Sequence, residues 1–358
     1  MKRAIAIADR YAPLALKLLA AANVLFFLTF LAFLVIAAGR AQAETLPACT
    51  GEDMLAALAA DDPGGLKAIE AEAAKTLNGK GLLWKIEKDV LEPSFLFGTM
   101  HMTDPRVTDL TPAARAAFET SGTVVIETTD VLDQAKMAQA MLAEPDLMMF
   151  TDDTTLMSLL SPEDRAVVEA GLKERGILLS SVNKMKPWII SAMVALPACE
   201  LARKAAGAPV LDVKLAEDAK RENKNLAGLE TVSDQLHAMA SLPMEFHLQG
   251  LVETIRLGDT TDDVIETMVV LYEREETGMF WPLFRAALPS AENDDMGYAA
   301  FEQAMITNRN KTMAKSAQPI LAAGNAFIAV GALHLPGPDG LVEQFRKAGY
   351  TVTAVSGV

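Results

Sequence analysis

The chain has 358 residues, and 47 Asp and Glu against 32 Lys and Arg give it a formal net charge of −15. A surface that acidic repels phosphate backbones and anionic headgroups, which excludes nucleic acid as a partner and direct electrostatic adhesion to lipid. The two cysteines, Cys49 and Cys199, sit in no Cys-x-x-Cys pair, which argues against a zinc ribbon or a dithiol redox motif.

The chain opens like a targeting segment. Lys2, Arg3 and Arg10 precede an apolar run from Leu18 to Ala38, and Ala41-Gln42-Ala43 follows as a small-x-small triplet that a signal peptidase can cut. Residues 1–43 are therefore expected to be a signal peptide or, because the run is long enough to span a bilayer, an uncleaved N-terminal membrane anchor. The triplet favours cleavage. In both cases the basic end stays cytoplasmic and residues 44–358 are exported, to the periplasm or the extracytoplasmic face of the membrane. The segment before Glu44 holds five basic residues and one acidic one, so its removal takes the charge to −19. In an oxidising compartment Cys49 and Cys199 have only each other as partners, so a disulfide between them is expected.

Beyond the leader, residues 44–80 read as two short helices split by Asp61-Asp62-Pro63-Gly64-Gly65. Leu83 to Glu87 alternates as a strand should, and Pro93 to Phe97 is a second apolar run ending at Gly98. Thr111-Pro112 opens a helix through Phe118; Thr123 to Glu127 follows as a β-branched strand with an acid at its carboxyl end. From Asp130 to about Ala323 the pattern is mainly helical, with entries marked at Ser161-Pro162 and at Ser180-Ser181, and one short strand at Asn225 to Leu229. Ala326 to Val330 reads as a buried strand, Asp339 to Ala348 as an amphipathic helix and Tyr350 to Val355 as a last strand. The expected fold is one α/β domain (α+β being the variant), with a single sheet assembled from both ends of the mature chain and covered by the helical middle.

Two segments repeat one another. Phe95-Leu96-Phe97-Gly98-Thr99-Met100-His101 and Ile328-Ala329-Val330-Gly331-Ala332-Leu333-His334 each carry an apolar strand, a Gly, two residues and a His, with a Pro four positions on at Pro105 and Pro338. A strand that rises through a core delivers the residues past its end to the carboxyl edge of the sheet, where α/β proteins bind ligands. The Gly is expected to let the backbone turn there. A lone His in such a place usually satisfies a nearby carbonyl; a matched pair after matched strands points to a shared site. His237 and His247 lack that context and read as ordinary helix residues.

With these units, Val125-Ile126-Glu127, Gly228-Leu229-Glu230-Thr231 with Gln235, Asn308-Arg309-Asn310 and the closing Leu335-Pro336-Gly337 resemble, in their order, the motifs of the TraB/PrgY/GumN family over about Leu82 to Val355. That family is similar to the metal-dependent Tiki proteases and, more distantly, to erythromycin esterase and the haem-binding protein ChaN. The resemblance implies an α/β fold with paired Gly-x-x-His motifs and acidic partners at one site.

The expectation is metal-assisted hydrolysis of a peptide or envelope-protein substrate. His101, Glu127 and His334 would be ligands of one divalent ion, with manganese, cobalt and zinc all open. Glu230 would act as general base or supporting partner, and Arg309 would steady an anionic intermediate. The bland alternatives are a solvated acid at Glu127, a helix-dipole charge at Glu230 and a surface ion pair at Arg309. No Gly-x-Ser-x-Gly elbow occurs, and Cys199 lies in an apolar helical stretch, so nucleophilic catalysis is disfavoured. Two non-enzymatic readings stay open: haem or metal binding through the same histidines, and sequestration of a peptide.

Overall fold

The computed structural model describes residues 48–287 and 295–356. The leader expected at residues 1–43 lies outside them. Among the described residues no helix is long and apolar enough to cross a membrane.

Six strands form one mixed sheet: β1 (Leu83–Glu87), β2 (Ser94–Thr99), β3 (Thr123–Ile126), β4 (Asn225–Gly228), β5 (Ala326–Gly331) and β6 (Thr351–Val355), in the order β4-β3-β5-β2-β1-β6. The first four in that order run parallel, and β1 is antiparallel to both β2 and β6. β5 comes from the far end of the chain and inserts between β3 and β2, so the sheet is indeed built from both ends.

Period-two alternation sends successive side chains to opposite faces. Val124, Ile126, Phe327 and Ala329 enter one core with Phe118, Leu211, Leu215 and Tyr272. Val125, Ile328 and Val330 enter the other with Met313, Leu321, Leu341 and Phe345. Both faces are thus covered, and Ala326 to Val330 is fully buried throughout, as a central parallel strand requires. The middle of the chain does more than cover the sheet. Helices Pro162–Glu174, Pro187–Val194 and Met244–Leu257 pack on one another around Leu172, Ile190 and Leu251 as a separate helical core.

The caps explain most element starts. Thr111 accepts from the Ala114 amide and Ser161 from the Asp164 amide, each with Pro at the first helical position. Ser180 and Ser181, in contrast, fall inside the Leu179–Val182 turn and cap nothing; the entry there is Leu178. The helix expected from Asp339 begins at Leu341. Cys49 and Cys199 are joined in a disulfide, with Cα atoms 5.2 Å apart.

Candidate functional site

Each of the four parallel strands presents one ionisable side chain past its carboxyl end: in sheet order Glu230 after β4, Glu127 after β3, His334 after β5 and His101 after β2. β2 and β5 pair directly, with Gly98 opposite Val330 and Thr99 opposite Gly331. The two Gly-x-x-His units therefore lie side by side, offset by one residue, on the edge where open α/β sheets hold ligands.

The expected role of the glycines needs correcting. Gly98 and Gly331 both lie inside strands and neither has a positive φ, so neither supplies a turn. They supply room. A Cβ on Gly98 would come within 3.1 Å of the Ala332 Cα, and one on Gly331 within 3.2 Å of the Glu127 Oε1. The absence of that atom lets Glu127 reach the Gly331 amide, which donates to Oε1 at 2.7 Å.

Both imidazoles are held from behind. His334 Nδ1 lies 2.8 Å from Asn310 Oδ1, and the Asn310 amide is oriented by donating through Nδ2 to the Asp339 carbonyl at 2.9 Å. His101 Nδ1 lies 2.8 Å from Asp212 Oδ2, whose other oxygen accepts from Thr99 Oγ1 at 2.7 Å. The partner of each ring is an acceptor, so each ring donates from Nδ1 and, when neutral, keeps its lone pair on Nε2. His334 Nε2 faces Glu127 Oε1 at 3.7 Å.

Glu127 and Glu230 are bound together by one cation and one side-chain amide. Arg309 donates to Glu127 Oε2 at 2.7 Å and through Nε to both Glu230 oxygens at 3.1 and 3.2 Å, with a further bond from Nη2 to Glu230. Gln235 donates to Glu127 Oε2 at 3.1 Å and to Glu230 Oε1 at 2.8 Å. Arg309, its side chain only 12% exposed, is therefore a largely buried clamp between two carboxylates, not a surface ion-pair member, and Glu230 braces that clamp. A π-helical stretch, Glu302–Thr307, runs into the Asn308–Ala323 helix that carries Arg309 and Asn310; such stretches often mark functional sites.

Burial pushes the His334 imidazole down to about 4, so it is neutral at neutral pH. His101 goes the other way: the Asp212 charge lifts it to about 9. Burial alone would raise Glu127, but the charges of His334, Arg309 and His101 and the Gly331 amide outweigh it and bring the carboxyl down to about 2.

The segment after His101 is anchored to the disulfide-bearing helix Ala198–Ala205. Fully buried Glu200 accepts from the Thr103 amide at 2.8 Å and from Thr103 Oγ1 at 2.7 Å, and Lys204 donates to the His101 carbonyl at 3.3 Å.

The sequence model of the TraB/PrgY/gumN family matches residues 82–354. The chain belongs to this family. Its curated relatives include a protein named metalloprotease TIKI1 from Xenopus tropicalis, 25% identical over 75% of this chain and 60% of the relative. Metalloprotease TIKI2 from Danio rerio is 26% identical over the same shares, and a metalloprotease TIKI homolog from Nematostella vectensis is 26% identical over 78% of this chain and 68% of its own. The chain thus spans about 60% of the length of the first two. No solved structure matches it.

In this family member no three His, Cys, Asp or Glu side chains among the described residues lie close enough together to hold an ion. The donor chemistry fits one all the same. Imidazoles that ligate a metal ordinarily donate their other N–H to a carboxylate or carbonyl, which fixes the tautomer; His101 and His334 both do so. Glu127 retains a lone pair on Oε1, the oxygen nearest His334 Nε2.

Of the residues that hold the rings and carboxylates in place, Gln235 and Asn310 lay within the recognised motifs, and Asp212 did not. An acid in the first turn of the Leu211–Arg221 helix looks like an ordinary dipole partner, so nothing local marks it.

Proposed function

We propose that this chain is an exported, metal-dependent hydrolase that cleaves a peptide bond in a peptide or envelope protein. Support comes above all from two imidazoles at one sheet edge, each with Nδ1 committed to an acceptor and Nε2 unspent. His101 and His334 would hold the ion, with Glu127 as the carboxylate partner. A bound divalent ion supplies Lewis acidity and an activated water at neutral pH. The protein's own groups do the rest. Asp212 and Asn310 orient the rings, Gly331 and Gln235 fix the Glu127 carboxylate, and Arg309 places a permanent positive charge beside the reacting region. The metalloprotease names of the relatives favour a protein or peptide substrate.

The test is titration of the purified, chelator-stripped chain with manganese, cobalt and zinc, followed by incubation with a peptide library with and without chelator. Wild type should bind one ion and cleave. His101→Ala and His334→Ala should lose both properties. A wild type that binds no ion, or variants that keep its affinity, would sink the reading.

Export is supported by the Cys49–Cys199 bridge, since cytosolic thiols are kept reduced. Alkylation in intact cells without reductant, read by intact mass, should find neither cysteine modified; two alkylated cysteines would place the protein in a reducing compartment.

A further inference from the structure

A cavity of about 430 Å³ lies between the helices Pro187–Val194, Met244–Leu257 and Phe280–Ala287. Trp188, Phe246, Trp281, Phe284 and Phe301 line it, and so does Leu333. Leu333 belongs to the second Gly-x-x-His unit and immediately precedes His334, so the cavity adjoins the turn that carries the candidate ligand. A space of this size matches a ligand site and far exceeds a packing void. Its walls are ordered by ring contacts, with Phe246 and Phe301 centroids 5.8 Å apart and Trp281 and Phe301 centroids 5.6 Å apart.

Three polar side chains of the lining bond within their own helices. Ser191 donates to the Pro187 carbonyl at 3.1 Å, Thr254 to the Gly250 carbonyl at 2.7 Å, and Gln249 to Glu253 at 3.1 Å. An occupant therefore needs no hydrogen bond from these groups and gains by burying apolar surface. Charge decides which apolar occupant. Glu253 is in the lining and no Lys or Arg is, so a fatty acid or anionic lipid would find a carboxylate where it needs a cation. A peptide side chain brings no such charge.

We propose that this cavity is a specificity pocket that receives bulky apolar side chains of the peptide substrate next to the bond that is cut. The proposal rests on the metallohydrolase reading for its meaning, but the binding it claims can be read without metal or turnover.

Two of the three tryptophans, Trp188 and Trp281, line the cavity, so their emission reports occupancy. Gly250 offers a way to block it. That glycine sits in the Met244–Leu257 helix, lines the cavity, and has open space within 4 Å of where its Cβ would be. Gly250→Phe should fill the cavity while favouring the helix, and Gly250→Ala gains the helix propensity without the ring.

The experiment titrates the chelator-treated full chain with three probes: acetylated, amidated Gly-Gly-Phe-Leu-Gly-Gly, its Ser-Ser counterpart, and palmitate. The Phe-Leu peptide should shift tryptophan emission saturably in wild type and in Gly250→Ala, and bind at least tenfold more weakly to Gly250→Phe. The Ser-Ser peptide should bind at least tenfold more weakly to wild type. Equal response to both peptides, undiminished binding by Gly250→Phe, or a response to palmitate alone would overturn the pocket. Metal titration of Gly250→Phe keeps the two readings apart: normal metal binding with lost peptide binding supports the pocket, whereas loss of metal binding in wild type refutes the metal centre alone.

Discussion

Replacing Arg309 by Met tests whether the clamp between Glu127 and Glu230 is structural as well as electrostatic. Both carboxylates are at least nine-tenths buried, and Arg309 is the cation bonded to both. Met keeps much of the stem volume but leaves two buried anions with only Gln235 and the Gly331 amide. Removing one partner of a buried ion pair costs about 3–5 kcal/mol. Burial alone would raise the Glu127 carboxyl, and the charges of His334, Arg309 and His101 together bring it from an ordinary 4.5 to about 2, so Arg309 supplies part of that fall. Urea denaturation at pH 7 should therefore show a loss of about 3 kcal/mol. The pH dependence follows from the sign of that shift. A depressed carboxyl contributes stability that is complete above about 4.5 and is lost as pH falls toward about 2. In Arg309→Met part of that contribution is already gone, so its deficit against wild type should shrink as the pH is lowered from about 4.5 toward 2. A loss below about 1 kcal/mol at pH 7, or a deficit constant over that range, would return Arg309 to the status of a surface ion pair.

Asp212→Asn should lower the His101 titration midpoint of the metal-free protein from about 9 toward 6.5, by more than one unit in a histidine-resolved NMR titration; an unmoved midpoint would show that Asp212 does not govern the ring. Because the raised pKa stabilises the folded state fully below 6.5 and loses that effect as pH rises through 9, the same variant should lose stability mainly at the acidic end. The His101 side chain is 62% exposed, and solvent screening therefore brings this loss down to roughly 1 kcal/mol. Cys199→Ala opens a loop of 150 residues, for which the chain-entropy account sets a ceiling of about 5 kcal/mol. A fall in Tm on the order of 5–15 °C is expected by calorimetry, and an unchanged Tm would mean that the bridge constrains little.

The elements were legible where local chemistry decides them. Thr111 and Ser161 cap the helices they announce, and the runs at Leu83, Thr123 and Ala326 alternate between two cores as their patterns require. Ser180 and Ser181 misled because a serine pair marks helix entries and short turns equally well. The strand order was not legible. The placement of β5 between β3 and β2 depends on contacts more than 200 residues apart, which no periodicity encodes.

The site divides along the same line. Its repeated unit and its acids are local patterns at strand ends, and these were readable. What the side chains do to one another was not, because it is set by distances across the fold. Sequence alone gives both imidazoles the same ordinary pKa and makes them lose metal together below about 6.5. The structure separates them. Asp212, carried on a helix 111 residues away, keeps a proton on exposed His101 until about 9, whereas burial beside Asn310 keeps His334 neutral down to about 4. Proton competition at a shared ion would therefore act through His101, and apparent metal affinity should rise across pH 6.5 to 9 rather than level off near neutrality. On the proposed reading, one carboxylate that no motif announces would thus set the pH range in which the two announced histidines could share an ion.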